Sequence, residues 1–189
     1  MAKQSEYMDQ RIADSFKALM REYPFEKITI QMIADQTGII RSTFYRHFKD
    51  KQDLMDWIIQ RELIAPAAEL LQQKQLTDAM RLIVSVLVTD GAFYRRAMLV
   101  TGQNGFFESV YDSVSELLYK ALTEHGIKDI PDVPILNARL LASYYAHSFV
   151  YTVMLMLSQN LDQEYSIEEM LEAYCFVSEH SPVEILFSS

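Results

Sequence analysis

Apolar residues along this chain recur at steps of three and four, and strict alternation is scarce, so the pattern predicts helices throughout. Ile12, Phe16, Leu19, Met20 and Tyr23 form the first stripe. Pro24 ends it, because proline cannot extend the backbone hydrogen-bond ladder. Thr29 is placed to cap a short second helix, and Gly38 to end it. A third short helix is expected over residues 41–48. Asp50 caps a fourth, with Asp53 in its first turn, running past Trp57 to about Ile64. Pro66 and the run Gln72-Gln73-Lys74-Gln75 then predict a hinge.

Five further helices follow. One opens at Thr77 and closes near Asp90-Gly91, and a short one covers residues 93–99. Residues 101–105 read as a loop, 106–124 as an amphipathic helix ending at Gly126, and Pro131 and Pro134 bracket another loop. Residues 135–157 form a long, strongly apolar helix, and Ser166 with Glu169 makes a capping box for the last, to about Val177. The predicted fold is all-α, with a three-helix helix-turn-helix domain at residues 8–64. A larger helical domain is expected at 65–189.

Within the first domain, Ala34 offers a small contact where two helices cross, and Gly38 tolerates positive φ in the turn. Ile33, Ile39 and Phe44 lock the pair from inside. The following helix carries Arg41-Ser42-Thr43-Phe44-Tyr45-Arg46-His47-Phe48. Phe44 and Phe48, four apart, face inward and leave the polar side chains on the surface. The N-terminal part of such a helix enters the major groove, so Arg41, Ser42 and Thr43 are candidates for base edges. Tyr45, Arg46 and His47 are candidates for DNA contact beside them, with Tyr45 and His47 suited to phosphates. Lys51, at the start of the next helix, and Thr29 and Gln31, at the start of the preceding one, complete the set.

Charge changes this picture only in its distribution. The chain of 189 residues has 17 Lys and Arg against 26 Asp and Glu, a net charge of -9. Residues 1–61 balance at +1 and the remainder at -10, so an anionic partner meets the N-terminal part. The single cysteine, Cys175, excludes an intramolecular disulfide framework. The N-terminus lacks a hydrophobic signal core, and the expected location is the cytoplasm.

The stretch from Lys27 through Thr43-Phe44-Tyr45-Arg46-His47-Phe48 to Lys49-Asp50-Lys51 and Leu54 resembles the TetR/AcrR family of transcriptional regulators, over about residues 8–64. The resemblance implies a double-stranded DNA operator as partner, with Thr29, Tyr45, His47 and Lys51 on phosphates and Arg41 to Thr43 on bases. One residue departs from the pattern: Ile40 stands where many members carry a capping serine. Ser42 capping slightly later, or Ile40 meeting a thymine methyl, are both open readings. The resemblance also implies a homodimer through the last two long helices, here 135–157 and 166–177, with a small-molecule effector in the second domain. Tyr111, Tyr144, His147 and Tyr151, with Tyr119, Tyr145 and Met154, are candidates to line such a pocket, against the plainer reading of each as core. Residues 93–107 are similar, more weakly, to a subgroup that includes activators of dihydroxyacetone kinase operons, which allows a protein co-regulator instead.

Other classes find less support. Residues 140–157 carry no charge, but contain Ser143, His147, Ser148, Thr152 and three tyrosines, which argues against a membrane span. Cys175 and His180 are five apart, a spacing that does not pair them on a helix, and no phosphate loop or metal-ligand spacing is present, so no enzyme, cofactor or metal is expected. The alternative is a helix-turn-helix-derived adaptor that binds protein and not DNA.

Overall fold

The computed structural model describes residues 2–102, 105–126, 133–181 and 184–185. Pro131 and two positions of the expected 101–105 loop, 103 and 104, lie outside the described residues. Among the described residues the elements are helical and no strand forms. The chain divides into two compact units, residues 1–65 with 90–113, and residues 66–89 with 114–189. Residues 90–113 thus pack with the N-terminal segment, whereas the sequence suggested two consecutive domains.

In the first unit, α1 (Ala2–Glu22) buries Ile12, Phe16 and Met20 completely along the expected stripe. Tyr23 falls beyond its end and is 41% exposed, because Pro24 breaks the periodicity one residue later. A single 3-10 turn (Phe25–Lys27) leads to α2 (Ile30–Thr37), capped by Thr29 Oγ1, which accepts the Met32 N–H at 3.2 Å. Next come α3 (Arg41–His47) and α4 (Lys51–Ile58), the latter capped by Asp50 Oδ1, which accepts the N–H groups of Gln52 and Asp53.

The expected hinge at Pro66 is a continuous helix instead. After α4 the backbone winds as a π-helix (Ile59–Ile64) and passes into α5 (Ala65–Gln72) with Pro66 inside it. The Ala65 N–H reaches back five residues to the Gln60 carbonyl. Pro66 lacks an N–H and would press its ring on the carbonyl four residues earlier in an α-helix. The wider π-turn relieves that clash, so a proline that usually breaks a helix is accommodated. The true stop is at Lys74, in the left-handed region at φ 61, where Gln75 and Lys74 donate to the Leu70 and Leu71 carbonyls.

A charged cluster lies inside the first unit. Lys17 of α1 donates to both Glu62 oxygens, at 2.9 and 2.8 Å, and its ammonium is 2.9 Å from Asp90 Oδ2. Arg21 grips the other Asp90 oxygen at 2.7 Å, and Tyr94 donates its hydroxyl to Glu62 at 2.7 Å. The Lys17 ammonium also lies over the rings of Phe93 and Tyr94. Asp90 stands at the N-cap of α7 (Gly91–Ala97), but its carboxylate serves this cluster and not the cap. The aromatic core continues from Phe16 edge-on to Phe25 and Phe93, and from Tyr94 to Phe106 at the start of α8 (Phe106–His125).

In the second unit, α5, α6 (Leu76–Thr89), the last turns of α8, α9 (Ala138–Ser158) and α10 (Ile167–Glu179) pack together. Asn137 caps α9 and the Ser166–Glu169 capping box opens α10, as its spacing predicts. Arg81 clasps Glu168 with two bonds, tying α6 to α10. By length and composition α9 could cross a membrane. It buries Ala142, Ala146, Phe149, Val150, Val153, Met154 and Leu157 against its own unit, however. Leu140, Tyr144, Tyr151 and Leu155 form an exposed stripe, and Phe176 and Val177 of α10 are exposed too.

Burial alone would raise the Asp90 carboxyl, but bonds and charge from Arg21 and Lys17 outweigh it and hold the group below the usual carboxylate range. A depressed carboxylate stabilises the fold above its unfolded value and loses that contribution as pH falls through the folded one. Asp90→Asn should therefore destabilise the protein by roughly 1–3 kcal/mol at pH 7, since Lys17 keeps Glu62 but it and Arg21 both lose a carboxylate. In urea unfolding followed over pH, the gap between wild type and variant should begin to narrow below about pH 4 and close only beneath the depressed folded value. A gap that persists into acid would detach Asp90 from the effect.

Candidate nucleic-acid interface

The turn between α2 and α3 has the expected geometry. Gly38 is left-handed at φ 76, and the Ile39 N–H reaches back to the Ala34 carbonyl at 2.9 Å. Ala34, Ile33 and Phe44 are fully buried, so α2 and α3 meet over a small residue and are locked by an aromatic one. Phe48 packs on Phe44 and on Trp57 of α4. The inward half of α3 is thus spent on packing, and the outward half is left for chemistry.

That outward half presents Arg41, Ser42, Tyr45 and Arg46 to solvent, with Thr43 half-buried. Arg41 and Tyr45, four apart, touch: the guanidinium is 6.0 Å from the ring centroid and Nη2 is 3.4 Å from the hydroxyl. This contact holds a cation and a hydroxyl donor on one edge of the helix. Ile40 is the N-cap of α3, makes no side-chain cap and is 70% exposed. Ser42 does not replace the missing cap, and the Thr43 N–H bonds back to the Ile40 carbonyl at 2.9 Å. Thr29 and Gln31 are exposed on α2, where the Gln31 amide donates to Asp35 at 2.6 Å.

Two other candidate residues turn inward. His47 Nδ1 is 2.6 Å from Asp9 Oδ1, joining α3 to α1. Lys51 Nζ donates to the carbonyls of Phe25 at 2.6 Å and Ile28 at 3.0 Å, with Glu26 at 3.4 Å, over the Phe25 ring. Burial lowers the Lys51 ammonium from its ordinary value, partly countered by the charge of Glu26. Both side chains brace the motif in this conformation. Sequence reasoning missed their partners, and also Arg11, which donates to the Thr37 carbonyl at 2.8 Å and holds the end of α2. Asp9 and Arg11 flank the apolar stripe of α1, and nothing in their spacing announces targets about thirty residues away.

The second unit contains a cavity of about 370 Å³. Leu71, Leu76, Met80, Ile83, Leu117, Leu118 and Leu122 make its walls, together with Tyr145, Phe149 and Tyr174. Tyr111, Tyr144, His147 and Tyr151 do not line it. Tyr111 stacks on Phe107 in the first unit, and Tyr144, His147 and Tyr151 lie on the exposed side of α9. From that helix Tyr145 and Phe149, four apart, line the cavity; Phe149 is buried, whereas Tyr145, one of the expected pocket residues, stands at the exposed rim. Among the described residues no three His, Cys, Asp or Glu side chains gather as metal ligands.

Residues 12–57 match the model of bacterial regulatory proteins of the tetR family. An HTH-type transcriptional regulator of Staphylococcus aureus (strain USA300) is 43% identical over 63 residues, 33% of this chain and 34% of the relative. The match thus spans about a third of the curated relatives' length. Among solved structures, a dihydroxyacetone kinase operon activator aligns with TM-score 0.64 at 19% identity, over 90% of this chain and 93% of that one. FadR of Bacillus subtilis, in complex with stearoyl-CoA, aligns with TM-score 0.60 at 18% identity, over 87% and 96%. These two establish a shared fold across both units.

Lys51→Met should cost roughly 1–3 kcal/mol in urea unfolding, because the Ile28 carbonyl loses its ammonium donor and the Phe25 carbonyl keeps only the Ile28 N–H. Arg46→Ala, on the exposed face, should stay within about 0.5 kcal/mol. Equal effects from the two would remove the bracing role assigned to Lys51.

Proposed function

We propose that this chain, whose residues 12–57 match the model of bacterial regulatory proteins of the tetR family, is a member of that family and a sequence-specific DNA-binding transcriptional regulator. The observation that carries the reading is the exposed edge of α3. Its core side is filled by Phe44 and Phe48, while Arg41, Ser42, Tyr45 and Arg46 face solvent beside a formed turn. In the major groove, Arg41, Ser42 and Thr43 read base edges; Tyr45 and Arg46, with Thr29 and Gln31 from α2, contact phosphates. His47 and Lys51 reach phosphates only by releasing Asp9 and the 25–28 carbonyls, so they act first as braces. Residues 8–64 are the DNA-binding domain in this reading, and 65–189 the regulatory one, with 90–113 packed on the former.

One such motif reads too few base pairs to be selective, so a homodimer on paired half-sites completes the proposal. The exposed stripe of Leu140, Tyr144, Tyr151 and Leu155, with Phe176 and Val177, supports α9 and α10 as the interface. The cavity supports control by a small molecule, in a cytoplasmic protein without enzymatic activity. The adaptor alternative draws on the inward turn of His47 and Lys51 and on the exposed Ile40, which reduce the cationic face.

Selection from random duplexes, or a gel shift with the gene's own upstream region, separates the two. A regulator enriches a paired-half-site sequence and binds it with a steep salt slope; an adaptor enriches none. Arg41→Ala should relax preference at one position, and Tyr45→Phe should weaken binding evenly across sequences. Tyr144→Glu with Tyr151→Glu should shift sedimentation to the monomer and abolish binding to paired half-sites. A variant that remains dimeric would move the interface elsewhere.

A further inference from the structure

We infer that the cavity of the second unit takes an amphipathic cation, an apolar body ending in an ammonium group, with Glu179 at the charged end. This rests on the reading of that unit as the effector-binding part and names the class of effector.

The walls fix the apolar part. Leu71 of α5, Met80 and Ile83 of α6, and Leu118 and Leu122 of α8 surround the space without a charged group among them. A molecule filling it must shed its water there, and a polar middle would lose hydrogen bonds the walls cannot replace.

The one charged side chain on the lining fixes the other end. Glu179 is the last residue of α10, is exposed, and has no ion-pair partner among the described residues. No lysine, arginine or histidine lines the cavity. The neighbouring His180 is turned away, stacked on the Phe176 ring with its Nδ1 on the Phe176 carbonyl. A carboxylate or phosphate would therefore enter against Glu179 with nothing to neutralise it, whereas an ammonium is paired. Two further features favour the cation. The carbonyl end of α10 carries partial negative charge, and three aromatic side chains, Tyr145, Phe149 and Tyr174, are among the lining residues, the kind that attracts an ammonium. The field of the unit has the same sign: residues 66–89 and 114–189 hold five Lys and Arg against thirteen Asp and Glu.

Calorimetric titration of the protein with decyltrimethylammonium and decanoate, each below its micelle concentration, and with decanol below its solubility limit, tests the assignment. The ammonium should bind saturably, roughly five- to tenfold tighter than decanol, and decanoate weakest of the three. Glu179→Gln, at an exposed position, should reduce the ammonium advantage severalfold and leave decanol unchanged. Leu118→Trp should fill the space and abolish binding of all three, its fold checked by circular dichroism; unchanged binding in a folded Leu118→Trp would overturn the site. Decanoate binding as tightly as the ammonium, equal affinity for ammonium and decanol, or indifference to Glu179→Gln would overturn the cationic assignment. Duplex selection on the same preparation keeps the two readings apart. Enriched duplexes without ammonium binding defeat the ligand class alone, and ammonium binding without enriched duplexes defeats the regulator alone.

Discussion

The Lys17 ammonium, almost enclosed and shared between Glu62 and Asp90, is the constraint around which the first unit is arranged. A buried cation tolerates no vacancy in its shell, so three stretches far apart in sequence must arrive together: α1, the π-wound Ile59–Ile64 and the start of α7. Tyr94 completes the shell by donating to Glu62. Its hydroxyl is held above the ordinary range, by burial first and by the charges of Glu62 and Asp90 second, and so remains a donor. The cluster explains why residues 90–113 belong to the first unit although the chain reaches them only after α6.

Much of the fold was legible because its local rules are strong. Thr29, Asp50 and Ser166 cap where their spacing says they should, and Gly38 turns left-handed where the motif needs it; α9 instead starts at Ala138, inside the expected 135–157, because Asn137 caps it. The failures have one physical origin, that sequence patterns report neighbours along a helix and not partners across it. Pro66 read as a break because local chemistry says so, yet the π-turn before it absorbs the clash. Lys51 and His47 read as phosphate contacts, and the oxygen that each also finds in another element is one that local spacing does not announce. On α9 a helix apolar on most sides gave no phase, so the residues facing the cavity could not be told from those facing out.

The candidate DNA-facing edge therefore stands on fewer cations than the sequence suggests. Arg41 and Arg46 remain outward, while Lys51 is engaged by backbone carbonyls. Any selectivity of this edge leans on geometry: Phe44 and Phe48 set the depth of α3, and the Arg41–Tyr45 contact sets how its polar groups are spaced.

The bare start of α3 has a kinetic side. Seven residues are too few to hold a helix alone, and Ile40 offers none of the stabilisation that a hydroxyl or carboxylate gives at that position. The helix persists because Phe44 is sequestered below it and His47 is tethered to Asp9. Its first turn thus opens by local fraying, at a free energy well below that of global unfolding, and its amides exchange with solvent ahead of those in α1. A groove that supplies acceptors to those amides would order the turn as it binds. Part of the discrimination between sequences would then be expressed as residence time, governed by how firmly each one holds the first turn closed.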